Sequence, residues 1–161
     1  MNFRSKIIAL EKLSEWRKTF RASGKKLVVT NGCFDILHLG HVTYLENARN
    51  FGGALLVGVN SDDATRQLKG AGRPVNSETD RAAVLAALQS VDGVCLFADT
   101  AATRFLAAAQ PDIYVKGGDY TLETLNQDER RAVESAGGKI ILVPFVPGKS
   151  TTSLLEKISR L

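Results

Sequence analysis

The sequence predicts an α/β fold, a doubly wound sheet of five parallel strands. Five short apolar runs are spaced along the 161 residues, each too continuous for a strand with one wet face. Amphipathic helical patterns separate them, and strand–helix alternation of this kind produces a parallel sheet covered on both sides. Right-handed crossovers then wind the sheet outward from its middle. The length suits a single domain with one well-formed core.

The elements follow in chain order. Phe3, Ile7, Leu10, Leu13, Trp16 and Phe20 recur every three or four positions and predict an amphipathic N-terminal helix within residues 1–25. The α/β core is expected over residues 26–161. Strands are predicted at Lys26–Thr30, Leu55–Asn60, Gly93–Phe97, Ile113–Lys116 and Ile140–Val143. Helices are predicted at His41–Phe51, Asp63–Leu68, Glu78–Gln89, Ala101–Ala109, Gln127–Ala136 and Thr152–Leu161. Ser77 and Asp80 read as the cap and first turn of the Glu78 helix.

Charge is unevenly placed. The net charge is +4, yet residues 1–26 hold eight Lys/Arg against two Asp/Glu, and the remainder holds thirteen against fifteen. The basic excess reads as the solvated face of the N-terminal helix, with nucleic-acid binding as the alternative. The two cysteines, Cys33 and Cys95, have no metal-ligand spacing, and burial is the plain reading of both. No apolar run approaches the ~18 residues of a membrane span, and the first residues lack a signal peptide's apolar segment. The expectation is a cytoplasmic protein whose partners are neither nucleic acid nor membrane.

The most informative stretch is Thr30-Asn31-Gly32-Cys33-Phe34-Asp35-Ile36-Leu37-His38-Leu39-Gly40-His41. It joins an apolar strand to a helix, so its end presents the unpaired N–H groups and partial positive charge that bind phosphate. Gly40 lets a ligand approach bare backbone, and the two imidazoles add donors that titrate near neutral pH. A metal site with Asp35 as third ligand is the alternative, and a glycine-containing turn before a helix suits an anion better.

Other candidates lie at loops after strands, where ligands bind in such folds. Asn60-Ser61-Asp62 follows the second strand. Lys69 and Arg73 lie in a segment with two glycines and a proline, read as a mobile loop able to close over a polyphosphate. Arg81 reads either as a surface partner of Glu78 or Asp80 or as a bidentate grip on a substrate phosphate. Lys116-Gly117-Gly118-Asp119-Tyr120 lets a flat base lie against backbone, with Asp119 near a sugar hydroxyl. Gly148-Lys149-Ser150 imitates the end of a P-loop, but Val143 stands where that motif needs its first glycine and no strand–helix unit follows. Ser150, Thr151 and Thr152 then read as a helix cap, a second anion site, or both.

Taken together, Gly32-Cys33-Phe34-Asp35, His38-Leu39-Gly40-His41, Asn60-Ser61-Asp62, Arg81 and Ser150-Thr151-Thr152 resemble the nucleotidyltransferase superfamily of the cytidylyltransferase type, across roughly residues 26–160. Tyr114-Val115-Lys116-Gly117-Gly118-Asp119-Tyr120 and Val143-Pro144-Phe145-Val146-Pro147-Gly148-Lys149 resemble, within it, the adenylyltransferases that make ADP-heptose. Glycerol 3-phosphate cytidylyltransferases carry Arg-Thr-Glu-Gly-Ile where this chain has Phe145-Val146-Pro147-Gly148-Lys149, and the missing arginine favours adenylyl over cytidylyl transfer.

The resemblance implies a Rossmann-like HxGH nucleotidyltransferase that moves an adenylyl group from ATP to D-glycero-D-manno-heptose 1-phosphate. A related enzyme with another nucleotide or acceptor, or a non-catalytic nucleotide binder, is the alternative. It further implies His38, His41 and Lys69 in catalysis, and Cys33, Phe34, Gly40, Lys116, Gly117, Asp119, Ser150, Thr151 and Thr152 around ATP. Asp35, Asn60 and Arg81 are implied at the sugar phosphate. Mg²⁺ is expected on the ATP phosphates with no protein metal ligands, along with a homo-oligomer and a separate heptose kinase upstream.

Overall fold

The computed structural model describes residues 2–144 and 146–161. Strands β1 (Leu27–Gly32), β2 (Ala54–Asn60), β3 (Gly93–Phe97), β4 (Ile113–Gly117) and β5 (Lys139–Val143) form one sheet in the order β3-β2-β1-β4-β5. Every neighbouring pair is parallel. The helices are α1 (Leu13–Ala22), α2 (Leu39–Arg49), α3 (Asp62–Lys69), α4 (Glu78–Ala87), α5 (Thr103–Ala109), α6 (Gln127–Glu134) and α7 (Thr151–Ile158). Among the described residues no helix is long and apolar enough to cross a membrane.

Both faces of the sheet are covered, as its continuous apolar strands require. On one face Leu27, Val29, Leu56 and Tyr114 pack with Leu13 of α1, Phe105 and Leu106 of α5, and Val133 of α6. On the other, Val28, Leu55, Val57 and Val115 pack with Leu45 and Ala48 of α2 and Ala82, Leu85 and Ala86 of α4. Gly58 is glycine because the Phe105 ring lies on it; a Cβ there would stand 2.5 Å from Phe105 Cε1.

The N-terminal segment departs from the expected continuous helix. Two 3₁₀ turns, Phe3–Lys6 and Leu10–Lys12, precede the ten-residue α1. The reason is the edge strand β3, whose unpaired backbone needs cover. Ile8 N–H donates to the Val94 carbonyl at 2.8 Å, and Ile7 bridges the same residue. The segment thus crosses the sheet edge, with Phe3 against one core and Leu10, Trp16 and Phe20 against the other. Its basic residues are not all solvated. Lys6 donates to the Leu88 and Val91 carbonyls, and buried Arg17 donates to the Gln110 carbonyl and pairs with Asp112 at 2.8 Å.

One feature of the register positions the site. β1 and β4 pair only at Val28–Ile113 and Val29–Tyr114. Beyond them β1 stays with β2 as far as Gly32–Val59, and β4 stays with β5 as far as Gly117–Val143. The sheet therefore splits at its carboxyl edge, where the strand order reverses, and a crevice at that point is where such folds take ligands. Tyr44 of α2 fills the root of the split. Its hydroxyl donates to the Val115 carbonyl at 3.0 Å and bonds the Thr30 hydroxyl at 2.6 Å, and burial pushes its pKa up to about 12.

Candidate active site

A cavity of about 940 Å³ opens at the split. The residues after β1 and β4, the starts of α2 and α7, and the segment around Lys69 and Arg73 all line it. So do Thr100 and Ala101, because α5 begins at Thr103 and leaves them in the loop after β3.

The helix after β1 starts at Leu39, two residues earlier than expected, with His38 as its N-cap residue. The histidines therefore straddle the helix start. Their rings stack with centroids 3.9 Å apart, and Phe34 meets His41 edge-on at 5.4 Å. Phe34 holds a left-handed backbone, φ 47°, and Gly32 leaves room for its ring: a Cβ there would lie 3.0 Å from it. At Gly40 a Cβ would lie 3.0 Å from both the His38 ring and Lys149 Cβ, so the glycine lets the loop before α7 close onto α2.

Both histidine Nδ1 atoms are buried and have no hydrogen-bond partner among the described residues. Burial, and then neighbouring His38, brings His41 down to about 4, while the Ile36 carbonyl pulls weakly the other way. Burial and the Lys149 charge lower His38. Both imidazoles are thus neutral at pH 7.

Three expected sugar-phosphate residues take different places. The Asp35 carboxylate accepts the Val75 N–H at 2.8 Å, the Asn76 N–H at 3.0 Å and Arg73 Nε at 2.6 Å. Burial raises its pKa, but the Asn76, Val75 and Arg73 bonds outweigh that and hold it below the usual carboxylate value. Asp35 is therefore a clasp, and the loop read as mobile is fastened by it. Arg81 is also corrected. Its side chain is 0% exposed and, among the described residues, pairs with neither Glu78 nor Asp80. It donates to the carbonyls of Cys33, Asn60 and Asn76 and to Asp62 Oδ1. With every arm engaged and no place in the cavity wall, it cannot grip a substrate in this arrangement. Asn60 does line the cavity, with its amide on the Asp99 carbonyl at 3.1 Å.

Arg73, unlike Arg81, lines the cavity. Asp35 holds its Nε, and its partly exposed guanidinium lines the cavity beside Lys69 at the end of α3. On the other wall, Gly117 closes against Tyr44, where a Cβ would stand 2.9 Å from the ring. Asp119 is exposed and outside the lining. Lys116 turns toward α6: its Nζ lies 3.3 Å from Tyr114 Oη, 3.5 Å from Asn31 Oδ1 and 3.6 Å from Glu129 Oε2. At α7, Ser150 is the cap, accepting the Ser153 N–H at 3.0 Å. Thr151 donates to the Ile36 carbonyl at 3.3 Å and ties α7 to the histidine loop, and Thr152 is exposed at the cavity. Phe145, part of the motif before α7, lies outside the described residues.

A family model described as cytidylyltransferase-like matches residues 29–156. The chain belongs to this family. A relative in Geotalea uraniireducens (strain Rf4), named bifunctional protein HldE, is 51% identical over 154 residues, covering 96% of this chain and 31% of that protein. Its namesake in Trichlorobacter lovleyi is 49% identical with the same coverage of each. This chain thus spans about a third of the length of these relatives. Among solved structures, the lipopolysaccharide core biosynthesis protein from Thermoplasma volcanium GSS1 superposes with a TM-score of 0.62 at 28% identity, covering 76% of this chain and 98% of that one.

Arg73 lines the cavity as the sequence reading of its loop expected, but nothing local shows that Asp35 aims it. One lining residue, Glu129, escaped that reading. Glu129 reads as one more charge on a polar helix, yet it is 4% exposed and bonds the Ala102 N–H at 2.8 Å and Tyr114 at 3.0 Å. No local signal marks it, because its burial depends on α5 and α6 lying side by side.

Proposed function

We propose that this chain transfers an adenylyl group from ATP to D-glycero-D-manno-heptose 1-phosphate, giving ADP-heptose and pyrophosphate. The observation that carries this reading is the stacked, neutral histidine pair at the start of α2, set in a split that opens between β1 and β4. The resemblance to ADP-heptose-forming adenylyltransferases and the similarity to proteins named HldE support the choice of substrates.

A phosphate oxygen of the sugar 1-phosphate attacks the α-phosphorus of ATP, and the bond to the β-phosphate oxygen breaks as pyrophosphate departs. The attacking oxygen is already anionic, so positioning and charge stabilisation matter more than a general base. His38 and His41, with the N–H groups opening α2, donate to the ATP phosphates where charge gathers. Lys69 and Arg73 neutralise the phosphates from the facing wall. Ser150, Thr151 and Thr152 at the start of α7 hold the outer phosphates, and Lys116 and Gly117 line the adenosine.

The donor set fits a Mg²⁺ that arrives on the nucleotide. Among the described residues no group of three His, Cys, Asp or Glu could hold a metal, and the Asp35 and Glu129 carboxylates are engaged by protein donors. Such an ion, held by phosphates and water, would supply charge neutralisation on the polyphosphate. The sugar 1-phosphate would come from a kinase reaction upstream, and we place the enzyme in the cytoplasm as a homo-oligomer.

Pyrophosphate release with Mg²⁺ tests the proposal, crossing ATP and CTP with both anomers of heptose 1-phosphate and with glycerol 3-phosphate. Release with ATP and one heptose 1-phosphate anomer is expected. Release with CTP and glycerol 3-phosphate instead would overturn it.

A further inference from the structure

We infer that Tyr44 is a positioning residue, whose hydroxyl holds β1 and β4 at the separation that lets one nucleotide reach both the histidine cradle and the wall at Gly117. This rests on the proposed use of ATP, and it concerns the width of the site rather than a contact with the reacting atoms.

Tyr44 stands in for a missing step of the sheet. β1 and β4 pair at Val28–Ile113 and Val29–Tyr114. The next pair in that register would be Thr30 and Val115, and the strands part there instead. The Tyr44 hydroxyl lies between those two residues, 2.6 Å from Thr30 Oγ1 and 3.0 Å from the Val115 carbonyl. The protons balance along this bridge. The phenol has one proton and gives it to the carbonyl, so Thr30 donates its own to the phenol oxygen. Thr30 and Val115 are both 0% exposed, which shields the bridge from competing water.

The same side chain joins the two walls of the cavity. Tyr44 stands three residues after His41 on α2, and so on the same face of that helix. Its ring is the surface on which Gly117 rests: a Cβ on Gly117 would lie 2.9 Å from Tyr44 Cε2 and 3.2 Å from Cζ. The histidines and the end of β4 are therefore tied through one planar ring and one hydroxyl. A nucleotide with its phosphates at the start of α2 and its adenosine at Gly117 spans that tie. Its affinity depends on a split that already has the right width, because molecules held at other widths raise the apparent Kd in proportion.

Calorimetric titration with Mg²⁺ and no sugar phosphate tests this, with ATP as a ligand of both walls and tripolyphosphate as a ligand of the phosphate cradle alone. Tyr44→Phe keeps the ring and removes the bridge. It should weaken ATP about fivefold, as the net loss of one hydrogen bond gives, and leave tripolyphosphate within about twofold. Thr30→Val cuts the bridge at β1 and should act in the same direction. Gly58→Ala strains the sheet outside the cavity and should leave ATP within about twofold, which separates the bridge from lost stability. Unchanged ATP affinity in both bridge variants, an equal loss for tripolyphosphate, or an equal loss of ATP affinity in Gly58→Ala would overturn the assignment alone. No binding of ATP by the wild-type protein would overturn the proposed activity and this assignment with it. ATP binding without pyrophosphate release from heptose 1-phosphate would overturn the activity, with the role of Tyr44 still decided by the two ligands.

Discussion

Replacing Arg81 by methionine keeps most of the aliphatic stem and removes the guanidinium that ties four segments together. The carbonyls of Cys33, Asn60 and Asn76 and the Asp62 carboxylate all lose a donor. Asp62 is 33% exposed at its side chain, so water takes over there and the ion pair contributes little. Asn76 is exposed as well. The loss falls on the carbonyls of Cys33 and Asn60, at about 1–3 kcal/mol for each buried acceptor left unpaired. Asn60 keeps a long bond from Thr65 at 3.5 Å, which trims the sum to about 2–4 kcal/mol. For a chain of this size that lowers Tm by roughly 5–15 °C. Urea and thermal unfolding followed by circular dichroism measure it, and the KM for sugar phosphate, taken well below Tm, should move less than about threefold. A Tm within roughly 2 °C of wild type together with a tenfold rise in that KM would refute the reasoning, since it would mean that Arg81 serves the substrate.

His41→Ala should slow turnover about 10²–10³-fold, equivalent to ~2.7–4 kcal/mol, the loss typical of one transition-state donor; a loss below about tenfold in the pyrophosphate assay would argue against its role. Because His41 titrates at about 4 in the fold against 6.5 unfolded, the unfolded chain binds the extra proton between those values. Stability without nucleotide should therefore be full above about pH 6.5 and fall on acidification toward pH 4. Urea midpoints across that window should show a shallower slope in His41→Gln. Gly58→Ala drives a Cβ to 2.5 Å from Phe105 and should destabilise by about 1–3 kcal/mol in urea unfolding with kcat retained. Asp35→Asn keeps one oxygen for the Val75 and Asn76 N–H groups but sets an NH2 against Arg73 Nε, and should lower both Tm, by several degrees, and kcat/KM, by about tenfold; an unchanged kcat/KM would mean that Arg73 needs no anchor.

The elements that the sequence located well are those whose signal is local. Ser77 caps α4 as read, accepting the Asp80 N–H. All five strands appear within two residues of their expected ends. The N-terminal helix is shorter than read, confined to Leu13–Ala22, because its apolar period is satisfied by two different cores reached around the β3 edge, and a period cannot tell which surface each residue meets. Arg81 shows the same limit: a lone arginine near a helix start looks alike whether it faces substrate or four protein oxygens.

The alternating architecture, the glycine-containing turn with its two histidines and the hydroxyl-rich start of α7 were legible in the chain, because each is written in neighbouring residues and backbone rules. That Asp35 clasps Arg73, that Arg81 is fully spent inside the fold and that Lys116 turns from β4 to Glu129 of α6 became visible in three dimensions alone. Those choices depend on which distant segments the strand order brings together and on which oppositely charged or hydrogen-bonding groups burial forces into contact. No reading of adjacent residues contains that information.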